Sequence, residues 1–181
     1  GFRTIRLPMN LIGNSIGQVF FQRATEAKAQ GNLSTLVEKV FRQLVMFSMY
    51  PVLMLALVGK PLFAFIFGAN WAEAGVYTQI LAVWSLFWFI SSPLDSLLSV
   101  LEKQEFGLQY NIILLITRIG SLAIGGYLNS PRIALVLFSL TGAVLSAYLN
   151  TVIVSSAGVP VKDVIKIIGK GFLYFFPFGL L

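Results

Sequence analysis

Arg6, Asn10, Asn14 and Gln18 recur at every fourth position through the apolar stretch RLPMNLIGNSIGQVFF. On a helix this spacing lays one guanidinium and three amides along a slowly rotating stripe. Asn and Gln have no partner in lipid, so in a spanning helix such a stripe faces other helices or a water-filled cavity. Two readings stay open. The amides, with Gly13 and Gly17 in GxxxG spacing, are packing contacts between helices. Alternatively, Arg6 and the amides line a cavity for a polar or anionic cargo, with Arg3 near the same end.

Arg118, in LLITRIGSL, is the second candidate. An ionised group at the centre of a spanning helix costs about 2.5–3.5 kcal/mol on insertion scales, so it should face protein or water. Arginine stays protonated and offers bidentate hydrogen bonds to phosphate. The competing reading is a structural ion pair, with Asp95 after SSPLD as the partner or coupling group. Pro51 and Pro93 can kink their helices, and Ser91 and Ser92 are placed to re-satisfy the carbonyls freed there. Ser139, Gly142, Ser146 and Asn150 share one helical face, a pattern more typical of a helix–helix seam than of a site.

Lipid is the solvent that must surround these residues. The chain has 181 residues, of which 57% are hydrophobic and 11% charged, with a mean hydropathy of +0.84. A soluble domain is nearer half apolar and a quarter charged. The apolar residues come in helix-sized runs, predicting an all-α polytopic transmembrane bundle of about six spanning helices. These fall near Thr4–Phe21, Gln43–Val58, Ala74–Leu101, Leu108–Leu128, Ile133–Ser155 and from Val164 onward. The polar segment after the first span, broken at Gly31–Asn32, predicts short amphipathic helices at the membrane surface. GKPLFAFIFGANWAEAG, with Trp71, predicts a short interfacial helix between the second and third spans. The start GFRTIRLP and the end FLYFFPFGLL predict a piece cut from a longer membrane protein, residues 1–181 forming one membrane domain.

If the connections alternate sides, Arg23, Lys28, Lys39, Arg42, Lys103, Lys162, Lys166 and Lys170 share one side. The other holds Lys60 and Arg132. The first is therefore the cytoplasmic side, and this bias accounts for the net charge of +6 without nucleic acid as a partner. Arg3 and Arg6 then sit at the outer end of the first span, which the rule does not explain. With no Cys and no His, the sequence excludes disulfides, thiol catalysis, Cys/His zinc sites and imidazole bases. Walker motifs, metal-ligand clusters and catalytic triads are also missing. Neither an enzyme nor a cofactor or metal site is expected.

The order of these features resembles the polysaccharide-transport family of the MOP flippase superfamily, the O-antigen and repeat-unit flippases related to MATE exporters. The resemblance rests on RLPMNLIGNSIGQVFFQRATEAKAQGNL, LVGKPLFAFIFGANWAEAG and PLDSLLSVLEKQ, which span most of Leu7–Gln104. Beyond about Asn111 it is one of hydropathy and order. It implies twelve to fourteen helices in two lobes, with this chain as most of the MATE-like second lobe plus the helices after it. It also implies a cargo, an oligosaccharide on polyprenyl pyrophosphate, flipped across a bacterial inner membrane for lipopolysaccharide or related surface polysaccharide. Arg3, Arg6 and Arg118 would engage the sugar-pyrophosphate head group. Partners on this reading are the lipid-linked oligosaccharide, membrane lipids, and polysaccharide polymerase and assembly proteins. The rivals are a cation-coupled multidrug exporter of the same superfamily and a non-transporting scaffold for polysaccharide-synthesis enzymes.

Overall fold

A computed structural model describes residues 17–175, and among them the chain is helical throughout, without strands. Helix α1 covers residues 17–29. It is followed by α2 (Leu33–Phe67), a 3-10 turn (Ala69–Trp71), α3 (Ala72–Leu94), α4 (Ser96–Val100), α5 (Gln104–Tyr127), α6 (Pro131–Ser156) and α7 (Val161–Phe175). Arg3, Arg6, Asn10, Gly13 and Asn14 lie outside the described residues.

The helix ends are written locally. Gly31 takes φ +73°, and the amides of Gly31 and Asn32 turn back to the carbonyls of Lys28 and Ala27. That pair of bonds satisfies carbonyls the helix would otherwise leave open, in a conformation that favours glycine. The same pairing closes α4 at Glu102, α5 at Asn129 and α6 at Gly158. Ser130 caps α6, its Oγ accepting from the Ile133 amide, with Pro131 in the first turn.

Four helices are long and apolar enough to cross a membrane: α2, the run Ala69–Val100 containing α3 and α4, α5, and α6. Many of their large apolar side chains are exposed, above all on α5; Phe65 is 89% and Ile116 63% accessible. A soluble monomer rarely leaves so much apolar surface uncovered, whereas lipid accommodates it. Of the six spans expected, the first and the last lie partly outside the described residues. The 15 described residues of α7 are fewer than a crossing needs.

The largest departure from expectation is α2. Its 35 residues run unbroken from the polar segment through Pro51 and Pro61 into the presumed interfacial helix. Neither the separate surface helix after Gly31 nor the short helix at GKPLFAF forms as an independent element. At 1.5 Å per residue α2 is about 52 Å long, well beyond a hydrocarbon core of roughly 30 Å. Its first turns therefore stand outside the apolar layer. Only the C-terminal part of the expected interfacial segment breaks off, where Phe63, Phe67 and Trp71 stack in sequence at 5.5 and 5.7 Å.

The α2–α3 hairpin is the most extensive helix pair, followed by α3–α6 and α5–α6. Leu33, Val37, Phe41, Val45 and Met49 on successive turns of α2 are buried against Phe20 and Ala24 of α1, Ile90 and Leu94 of α3, Ile153 of α6 and Val164 of α7. Towards the other end, Gly59 and Gly75 bring α2 and α3 to backbone contact. Pro61 removes the amide that would bond the Leu57 carbonyl, and Gln79 of α3 supplies the replacement. Its Nε2 donates to the carbonyls of Ala56 (2.9 Å) and Leu57 (3.1 Å). Gln79→Leu should therefore cost about 1–3 kcal/mol, the penalty for an unmatched acceptor, read as a lower Tm of the purified protein.

Connections alternate between two ends. At one, Lys28 Nζ donates to Val100 O (2.6 Å) and pairs with Glu102 (3.3 Å), and Lys103 Nζ donates to Ser156 Oγ (2.8 Å). At the other, Arg132 grips Glu73 with two 2.9 Å bonds and ties the start of α6 to that of α3. The connections after α1, α4 and α6 lie at the first end, and those after α2 and α5 at the second.

Candidate functional site

Two separate places hold the polar residues that the sequence singles out. The first is an open groove of about 660 Å³, lined by Gly17, Gln18, Phe21 and Gln22 of α1 and by Ser92, Ser96 and Ser99. The serines follow one another at turn spacing across the break between α3 and α4, with Pro93 and Asp95 between them. Ser96 Oγ donates to the Pro93 carbonyl at 3.0 Å. Gln18, Gln22, Ser92 and Ser99 have no hydrogen-bond partner among the described residues and are exposed. Their amides and hydroxyls remain available to something else. Gly17 does not mark a close helix approach here, since a Cβ on it would meet nothing within 4 Å. It opens onto the groove instead.

The second place is the seam between α3, α5 and α6. Arg118 crosses from α5 and packs against two rings, its Cζ 3.4 Å from the Phe138 centroid and 4.1 Å from that of Trp84. The rings meet edge to face at 5.5 Å. A guanidinium is planar and weakly hydrated, so it suits buried aromatic faces better than a compact ammonium does. Gly142 makes the space, since a Cβ there would come within 2.7 Å of Trp84 Cδ1 and 3.0 Å of Arg118 Nη2. Arg118 Nη1 and Trp84 Nε1 are both buried without an acceptor among the described residues.

The ion pair of the competing reading is not formed among the described residues. Asp95 is exposed at the α3–α4 break, and neither it nor Arg118 belongs to an ion pair among the described residues. The aromatic faces, rather than a carboxylate, offset the charge of Arg118. The serine expectation changes too. The carbonyl that Pro93 frees is that of Phe89, but Ser91 Oγ bonds the Phe87 carbonyl at 2.9 Å, and Ser92 turns up in the groove.

The small-residue face of α6 is a seam, as its pattern suggests. Ser139 Oγ donates to Ile80 O at 2.6 Å, Asn150 Nδ2 to Phe87 O at 3.1 Å, and Ser146 Oγ lies 3.2 Å from Tyr110 Oη. Sequence reasoning missed Trp84, Phe138 and Tyr110. One signal for them was legible. Trp84 sits near the middle of its span, whereas tryptophan in membrane proteins concentrates at the interfaces.

Gln18 and Arg118 thus do not share a lining: one borders the groove between α1 and the α3–α4 break, the other is held in the α3–α5–α6 seam. Fold and exposed apolar surface together define the class, a polytopic α-helical membrane protein. No family model, curated protein or solved structure matches the chain.

Proposed function

We propose that this chain belongs to a flippase that carries polyprenyl-pyrophosphate-linked oligosaccharide from the cytoplasmic to the outer leaflet of the bacterial plasma membrane by alternating access. The observation that carries the reading is the groove. Its unpartnered amides and hydroxyls are the neutral donors and acceptors that sugar hydroxyls require, and they border a helix interrupted at Pro93–Asp95. Interrupted helices beside polar cavities are the places where transporters bind and move cargo. The cationic character of the seam, where Arg118 has no carboxylate partner, suits an anionic cargo better than the cationic drugs of the exporter reading.

A scaffold is the second reading, favoured by one observation: Arg118 is packed against the Phe138 and Trp84 rings in the helix seam and does not line the groove. Deleting the full-length gene in its host and profiling lipid-linked oligosaccharides separates these possibilities. The flippase reading expects repeat units to accumulate in the inner leaflet while surface polysaccharide disappears. Rescue should fail with Gln18→Leu combined with Ser92→Leu and Ser99→Leu, at normal membrane levels. Intact polysaccharide with new drug sensitivity would establish the exporter instead. Normal flipping with failed polymerisation would establish the scaffold.

A further inference from the structure

We propose that the groove between α2 and α7 is a binding site for the phosphate of an anionic phospholipid in the cytoplasmic leaflet. It is independent of the flippase reading. In α7, Val164, Ile167 and Gly171 are buried, while Lys166 and Lys170, one turn apart, are exposed. The absence of a side chain at Gly171 lets α7 lie close on α2, since a Cβ there would approach Val45 Cγ1 to 2.8 Å and Met49 Cε to 3.2 Å. That contact fixes the height of α7. Lys170, next in sequence, enters at the level of Met46–Met49, below the point near Gln43 where α2 becomes continuously apolar.

A groove of about 230 Å³ opens at this level, lined by Glu38, Arg42 and Met46 on successive turns of α2 and by Asp163, Lys166, Ile167 and Lys170 of α7. Both signs of charge are present, with three cations against two carboxylates. Glu38 is bound by Arg42 at 2.7 Å, which leaves Asp163, in the first turn of α7 where the helix dipole favours a carboxylate, facing two lysines. Lys166 and Lys170 form no ion pair among the described residues. Two ammonium groups at the edge of the apolar layer call for an anion, and Met46 and Ile167 give the groove an apolar side. A phosphodiester with acyl chains satisfies both features. Inorganic phosphate satisfies only the first. Basic pockets between spanning helices on the cytoplasmic side are where anionic head groups are held.

The test uses purified full-length protein in detergent and native mass spectrometry, titrated separately with phosphatidylglycerol and phosphatidylcholine. One phosphatidylglycerol per chain should be retained in preference to phosphatidylcholine. Each lysine near an anionic head group contributes about fivefold in affinity, so Lys166→Gln with Lys170→Gln should weaken retention roughly twenty-five-fold. The lipid-free Tm of that variant should match wild type. Glu38→Gln frees Arg42 and should tighten retention, which gives a second readout if the double variant folds poorly. Equal retention of the two lipids, unchanged retention in the double variant, or no gain from Glu38→Gln would overturn the proposal. Displacement of the lipid by equimolar inorganic phosphate would also overturn it, leaving a site for free anions.

Discussion

Gly75→Val should abolish the folded protein. A Cβ at Gly75 would lie 2.5 Å from the Gly59 carbonyl oxygen and 2.6 Å from Lys60 Cα. Both are backbone atoms of α2, so no side-chain rotation relieves the clash and the two helices must separate. Overpacking usually costs about 1–3 kcal/mol when side chains can adjust, and a backbone clash in the largest helix pair belongs at or above the top of that range. Separation also draws Gln79 away from the carbonyls of Ala56 and Leu57, leaving the acceptor freed by Pro61 unmatched inside the membrane. The substitution thus removes a packing contact and a hydrogen-bond repair together. A matched control is Gly120→Val in α5, where a Cβ meets nothing within 4 Å; its cost should be limited to a difference in helix propensity. Size-exclusion profiles of detergent-solubilised protein should show a monodisperse peak for the control and an aggregated or missing one for Gly75→Val. Comparable peaks would mean that the α2–α3 contact does not hold the bundle together.

Spans α3, α5 and α6 were legible in the sequence, because a hydrophobic run bounded by turn residues carries both its length and its ends. Gly31, Asn129 and Gly158 mark the breaks after α1, α5 and α6 through conformations that few residues adopt easily. The continuity of α2 was not legible. Pro51 and Pro61 both argue for a break, and what keeps the helix intact near Pro61 is an amide from Gln79, eighteen residues later and on another helix. Local propensity contains no record of such a partner. The site divides in the same way. Polar residues in an apolar run can be picked out singly, which identified Gln18, Arg118 and the α6 face. Their partners depend on which helices meet, so Asp95 was the natural counter-ion for Arg118 by charge alone. The fold put Trp84 and Phe138 there instead. Ser92, Ser96 and Ser99 became a lining only once α1 was placed beside them.

Arg118→Met should leave the protein folded and yet unable to transport, whereas Arg118→Lys should be the less stable of the two. Replacing arginine by methionine forfeits the contact with both rings, worth about 2 kcal/mol or more for a desolvated cation–π pair. It also removes a charge costing about 2.5–3.5 kcal/mol at the centre of a span and the buried Nη1 donor that lacks an acceptor. These effects nearly cancel, and methionine fills irregular apolar space with little strain. Lysine keeps the charge but loses the planar group that lies against both rings. Its compact, strongly hydrated ammonium is poorly matched to the space between Trp84 and Phe138, which Gly142 keeps open for a flat side chain. A conservative change in charge is therefore the worse change in packing. Melting curves in detergent should rank Arg118→Met close to wild type and Arg118→Lys below it. Under the flippase reading, neither variant should restore more than about a tenth of transport, because neither presents the paired N–H donors that suit a pyrophosphate oxygen. Full transport by Arg118→Met would assign the residue to packing alone, and would move the anionic head group to the arginines near the start of the chain.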